Sequence, residues 1–295
     1  LSNLLKDRKL IFYDFEVLSK SKLSNGKSYW SVVFIELETM KGKIIKNNEY
    51  ELSAFFNFNK DNIFIGYNSR SYDQYIFKGI MMGMDAGFIS ESIIEKDIKG
   101  HNVVQGAWRI PLNNFDIMPN PPVGLKTLEA FMGSMIKESD VPFDIDRPLT
   151  NDEEKDLLKY NVHDVLETIK VFKHLRHEFD SQLQLIEAFN LPFTLFNKTK
   201  AQLSASILGA EKQEDRGDAF DHIFPDTLIL NKYNHVKEWY EKEFTSYIDP
   251  ITNKGRKLET EIAGVPTVYG IGGIHSALDN IDESGIILTC DISLT

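Results

Sequence analysis

Short apolar runs bounded by polar clusters set the pattern of the first half of the chain. Residues 9–15 read Lys-Leu-Ile-Phe-Tyr-Asp-Phe, a β-rich run that predicts a buried strand. Asn25-Gly26 marks a turn; residues 29–37 predict a second strand paired with the first, and residues 43–46 a third. Residues 62–67 (Asn-Ile-Phe-Ile-Gly-Tyr) predict another strand. An amphipathic helix follows over 72–82, with Tyr72, Tyr75, Ile76, Gly79 and Ile80 on one side. Extended stretches within 103–117 run up to Pro119, Pro121 and Pro122, which a helix interior excludes. A short helix is predicted over 125–132. Thr150 and Glu153 then form a capping box that opens a long helix reaching about residue 179.

Strands first, then strands alternating with helices, predict an α/β domain over residues 1–179. Residues 180–262 read as a mainly helical connecting region, with polar breaks around 215–221 and 249–255. Residues 263–295 return to β-type sequence: a strand over 265–269, a glycine turn, and a strand over 285–290. The chain starts at Leu1 and stops just past an apolar run, so it reads as a piece of something longer.

Composition narrows the class. With 42% hydrophobic and 12% aromatic residues the chain is too apolar for disorder. A single cysteine, Cys290, excludes a disulfide framework and a cysteine-based zinc site, and fits a reducing cytoplasm. No apolar run approaches a membrane span, which predicts a soluble protein with no membrane partner. The net charge of -11 argues at first against nucleic acid. The acid is uneven, however: residues 1–175 hold 22 Lys and Arg against 25 Asp and Glu, while residues 176–295 hold 11 against 19. An acidic balance also suits an enzyme that gathers carboxylates around divalent cations, so charge decides little.

Four carboxylates fall at informative places. Asp14 and Glu16 close the first strand, and period-two alternation points both to one face, about 7 Å apart along the strand. Two acids on one buried face repel unless a cation lies between them. Asp73 stands at the junction of the 62–67 strand and its helix, after Asn68 and Tyr72. Asp164 lies four residues after Tyr160 on the long helix, so both project from one face. Each has a bland reading alone: a solvated strand end, a helix cap, an ordinary i, i+4 contact. Their order along the chain is what carries information.

The sequence of motifs Asp-x-Glu, Asn-x-x-x-Tyr-Asp and Tyr-x-x-x-Asp resembles the 3′→5′ exonucleases of the DEDD superfamily, in the variant with a tyrosine in its third motif. The resemblance covers about residues 9–175. Asn114 to Met118, followed by Gly124 to Leu128, is similar to the connecting segment of polymerase-linked members. It implies a ribonuclease H-like fold, a mixed sheet with flanking helices, and two Mg²⁺ or Mn²⁺ ions. By this resemblance Asp14 bridges both metals, Glu16 and Asp164 complete the metal on the nucleophile side, and Asp73 supports the second through water. Tyr160 orients the attacking water. Asn68 and Tyr72 are substrate-binding candidates. Phe15 stands either as a contact to the terminal nucleotide or as a core side chain, and Asp116 either as support for a ligand or as plain structure.

Tyr269-Gly270-Ile271-Gly272-Gly273-Ile274-His275 is similar to the glycine turn that family B DNA polymerases carry between exonuclease and palm. The family form is Tyr-x-Gly-Gly, whereas Tyr269 has two residues before its glycine pair. Asp291 then corresponds to the first palm metal ligand of Asp-x-x-Ser-Leu-Tyr-Pro, with Ser293 one position early. The chain thus resembles the N-terminal portion of a bacteriophage-type family B polymerase. What this implies is a proofreading exonuclease, working in the cytoplasm as a monomer on single-stranded or primer-template DNA. Two alternatives stand beside it: a free-standing exonuclease trimming DNA or RNA ends, and a non-catalytic module that holds DNA. His163 reads as a helix-surface residue, because a His-Asp phosphohydrolase needs further histidines at set places.

Overall fold

The computed structural model describes residues 3–119, 121–136, 139, 141–211, 220–250, 254–270 and 273–276. The chain divides into two compact units, Leu1–Ala210 and Glu211–Thr295.

The first unit is α/β. Its strands are β1 (Leu10–Lys22), β2 (Ser28–Glu36), β3 (Gly42–Lys46), β4 (Ile63–Gly66) and β5 (Asn114–Asp116). They form one mixed sheet in the order β3-β2-β1-β4-β5. β2 runs antiparallel to β1 and β3, while β4 is parallel to both β1 and β5. The helices are α1 (Glu49–Asn59), α2 (Asp73–Met81), α3 (Ala86–Ile94), α4 (Gly100–Val103), α5 (Leu125–Phe131), α6 (Asn151–His174), α7 (Arg176–Ala188) and α8 (Lys200–Ile207). The predicted extension over 103–117 shrinks to the three residues of β5.

Central strand β1 sorts the core by alternation. Ile11, Tyr13, Phe15 and Val17 pack with Leu52 and Phe56 of α1, Ile76, Phe77 and Ile80 of α2, and Ile89 of α3. Leu10 and Phe12 pack on the opposite face with Val165, Ile169 and Phe172 of α6 and Phe179 and Leu183 of α7. A strand buried on both faces needs apolar residues at every position. Asp14 and Glu16 break that rule, and they break it on the α6 side.

α6 starts as predicted, with Thr150 and Glu153 reciprocally bonded. It ends at His174, not near 179. Leu175 (φ -95, ψ 12) turns the chain, so that Phe179, Leu183 and Ile186 of α7 fold back onto the sheet. The single turn Phe193–Asn197 adds Phe196, and α8 adds Leu203, to the same cluster. The boundary read at residue 179 therefore falls inside the first unit, because α7 and α8 bury their apolar stripes in its core.

The second unit contains α9 (Asn234–Lys242) and an antiparallel sheet of β6 (Lys257–Ile262), β7 (Val265–Gly270) and β8 (Gly273–Ser276). Val236, Trp239, Phe244 and Tyr269 are its buried cluster. β6 corrects the helical reading of 180–262: Lys257, Glu259 and Glu261 are exposed and alternate with half-buried Leu258, Thr260 and Ile262. Ala263 (φ 52) and Gly264 (φ 86) form the two-residue turn to β7, a left-handed pair that suits a type I′ hairpin. The predicted strand over 285–290, Asp291, and Ile271 and Gly272 of the glycine turn lie outside the described residues. Among the described residues no helix is long and apolar enough to cross a membrane.

Phe196 tests how far the first unit extends. It is fully buried and stacks on Phe115 with centroids 5.2 Å apart. Phe196→Ala should cost about 3–5 kcal/mol in the unfolding of that unit, measured by denaturant titration. A loss below about 1 kcal/mol would place residues beyond 179 outside its cooperative core.

Candidate active site

The site begins where a strand stops. β4 pairs with β1 only over Leu10, Ile11 and Phe12, leaving Asp14, Phe15 and Glu16 with β2 alone. The Phe15 amide on the open side donates to Asp73 Oδ1 at 3.0 Å. Asp73 is the first residue of α2 and is 3% exposed, so its carboxylate stands where a strand carbonyl would otherwise accept. The chain between β4 and α2 is pinned to bring it there. Asn68 adopts φ 55 and its carbonyl accepts the amides of Ser71 and Tyr72. Asp116 accepts from Arg70 N at 2.9 Å and from Met118 N at 3.0 Å. Tyr13 and Ser69 hydroxyls both donate to Asn114 Oδ1, at 3.0 and 3.1 Å. A Cβ at Gly66 would lie 2.6 Å from Ser69 Cβ, so only glycine permits this approach. Asp116 is thus an anchor for the loop.

α6 supplies the other wall. Leu157, Asn161 and Val165, spaced by four, lie buried along one stripe of the helix. Asn161 Nδ2 approaches the Asp14 carbonyl at 3.3 Å and its carboxylate at 3.5 Å. Asp164, one residue short of the next turn, joins Asp14 and Glu16: these three offer carboxylate oxygens all within 4.8 Å of one another. Asp73 faces the same charges, although its oxygens lie outside that tight group.

Burial and mutual repulsion dominate the electrostatics. Burial, reinforced by the charges of Asp164 and Asp73, pushes Glu16 up to about 8. Burial raises Asp73 to about 7, with the Phe15 amide opposing the shift. Half-buried Asp14 is raised well above the ordinary carboxylate range by desolvation, then by Asp73, Glu16 and Asp164. One cation answers them: Lys126 Nζ lies 2.6 Å from Asp164 Oδ1 and 4.9 Å from the centre of the Tyr160 ring. Desolvation works against the Lys126 charge, but the bond to Asp164 outweighs it and keeps the ammonium protonated. Burial and the adjacent Asp164 charge hold the Tyr160 hydroxyl protonated, far above its ordinary value.

This donor set fits a metal ion. It is an all-oxygen cluster with a protonation demand that a positive charge relieves, and an ammonium already stands in as the cation. A second group, Glu129, His163 and Asp164, also brings one ligand atom each within 4.8 Å.

Of the residues singled out in the sequence, Asp14, Glu16, Asp73, Tyr160 and Asp164 come together. Phe15 resolves as core: it is 4% exposed, between Trp30 at 6.2 Å and Phe77 at 5.7 Å. The Tyr72 hydroxyl lies 2.8 Å from Ser90 Oγ and its ring packs on the α1–α3 cluster, while the charges of Asp73, Glu16 and Asp14 reach it and, after burial, help hold it protonated. Asn68 serves as the turning residue of the loop. His163, read as a surface residue, is largely buried beside Glu129. Asn161, Lys126 and Glu129 were missed. A polar Asn161 on the Leu157–Val165 stripe was the available signal; Lys126 and Glu129, an i, i+3 pair, look like any helix surface. The chain matches no protein-family model and no curated protein.

The raised carboxyls fix the sign of a pH effect. Glu16 at about 8 and Asp73 at about 7 hold protons in the folded state that the unfolded chain has already lost at lower pH. In metal-free buffer, unfolding free energy should therefore fall as pH rises from about 5 to about 8, and Glu16→Gln should flatten the slope. A chemical denaturation series at several pH values measures this; a rising slope would contradict it.

Proposed function

We propose that this protein is a divalent-cation-dependent 3′→5′ exonuclease with a ribonuclease H-like fold, acting on single-stranded DNA ends. The observation that carries the reading is the convergence of three separated acidic motifs, from β1, α2 and α6, in one seam with Tyr160. The order of those motifs and the mixed sheet with helices on both faces support it further.

Bound divalent ions of the Mg²⁺ or Mn²⁺ kind would supply an activated water and neutralise the phosphate oxygens. Asp14, Glu16 and Asp164 are the residues that would hold them, and Asp73 would add a fourth carboxylate, fixed by the Phe15 amide. Tyr160 stays protonated, so its role is to orient a water by hydrogen bonding and not to remove its proton. Asn161 holds Asp14 in place from α6. Lys126 occupies Asp164 and must shift when a divalent ion binds there.

We also read the chain as the exonuclease portion of a family B DNA polymerase that edits primer-template DNA. The segment 269–275 supports this, with Gly270 paired to Gly273 between β7 and β8.

The test is nucleotide release from a 5′-labelled oligonucleotide with a free 3′ end. EDTA should abolish release and Mg²⁺ or Mn²⁺ restore it, and a 3′-blocked strand should resist. Asp14→Ala or Asp164→Ala should lower the rate by about 10³-fold or more. Tyr160→Phe should cost less, about 10–10³-fold. Parallel DNA and RNA substrates decide the sugar preference. Wild-type rates for Asp14→Ala, or full activity in chelator, would reject the reading.

A further inference from the structure

Helices α5 and α6 carry four buried side-chain atoms with no hydrogen-bond partner, Glu129 Oε2, Asn161 Oδ1, His163 Nε2 and Glu167 Oε2, and those of Glu129 and His163 face each other. Glu129 is fully buried; Lys126 bonds its Oε1 at 3.2 Å, but its Oε2 has no hydrogen bond. His163 Nε2 is buried and equally unpaired, 3.8 Å from that Oε2. The separation is too long for a hydrogen bond. Buried polar atoms are normally satisfied, so two orphans across one gap ask for a third body between them. Asp164, with an oxygen within 4.8 Å of both, closes the group.

We propose that Glu129, His163 and Asp164 form a second divalent-cation site, selective for ions of the zinc and cobalt class. The imidazole nitrogen sets this preference. Mg²⁺ favours oxygen ligands and keeps much of its water, whereas Zn²⁺ and Co²⁺ take nitrogen readily. One nitrogen and two carboxylates leave an open position, the arrangement of a three-ligand zinc centre. Lys126 is the built-in competitor: its ammonium bridges Glu129 Oε1 and Asp164 Oδ1, and an ion that binds must displace it from Asp164. The two metal groups share Asp164, so their occupancies are linked. The site is a statement about binding and does not depend on the nuclease reading.

Co²⁺ is the probe, because its visible absorption reports ligand type and geometry without any activity assay. The metal-stripped full chain should bind Co²⁺ with an absorption that Zn²⁺ abolishes and Mg²⁺ does not. His163→Gln and Glu129→Gln should each weaken Co²⁺ binding by about tenfold or more and remove the absorption. The Asp14→Asn/Glu16→Gln double variant should retain it. Lys126→Met should tighten binding, an arm that stands even if a variant at His163 or Glu129 folds poorly. Circular dichroism on each variant checks the fold. Co²⁺ binding unchanged in both His163→Gln and Glu129→Gln, or lost only in the Asp14/Glu16 double variant, would overturn the proposal, as would Lys126→Met leaving affinity unchanged.

Discussion

Like charges held close together in a partly dry seam are the constraint around which the first unit is built. Three carboxylate pairs lie within 4.8 Å, and at an effective dielectric near 20 each repels by about 3 kcal/mol. The sum, about 10 kcal/mol, is comparable to the whole stability of an ordinary domain. The seam therefore cannot be fully ionised and unaccompanied. It must take up protons, as the raised Glu16 and Asp73 do, or hold cations, as Lys126 begins to do.

The surrounding fold keeps the carboxylates from moving apart. Asp14 and Glu16 are fixed by β-pairing to Val33 and Ser31, with rings of Tyr13 and Phe15 locked on the reverse face. Asp164 is fixed by a helix whose Val165, Ile169 and Phe172 are buried under Leu10 and Phe12. The packing that buries these apolar neighbours is what holds the acids in register, so core energy is spent on charge placement. Lys126 comes from the shorter α5, and its side chain is 30% exposed. A cation on a long flexible stem can leave; the carboxylates cannot.

Much of this was legible in the sequence, for physical reasons that differ by element. β1, β2 and β4 announced themselves through compact β-branched and aromatic runs, and α6 through its capping box. The catalytic candidates were legible because alternation and the helical repeat fix which face a side chain occupies. β6 was missed because Lys257–Ile262 alternates charge with modest apolar residues, a weak signal beside a helical region. α1 and α3 drew no expectation at all. The break at Leu175 was invisible, because His174 and Arg176 are ordinary helix residues and the turn is imposed by what Phe179 packs against. Phe15 shows the limit of motif reasoning: on a strand, the sequence neighbour of a carboxylate alternates to the opposite face. Lys126 falls inside the Gly124–Leu128 segment and Glu129 just after it, but nothing along the chain ties either to Asp164; only tertiary packing brings them there.

Asp73 has a structural duty besides its charge, since its carboxylate completes the hydrogen bonding of β1 at Phe15. A chain disarmed at this position would also carry a loosened strand edge, next to the residues that grip the other ligands. A variant meant to remove one carboxylate of the seam without disturbing the sheet is therefore better built at Asp164, whose carboxylate supports no backbone amide among the described hydrogen bonds. Removing the charge there leaves the open edge of the sheet intact, so the charge of the seam and the integrity of its strand can be varied separately in one molecule.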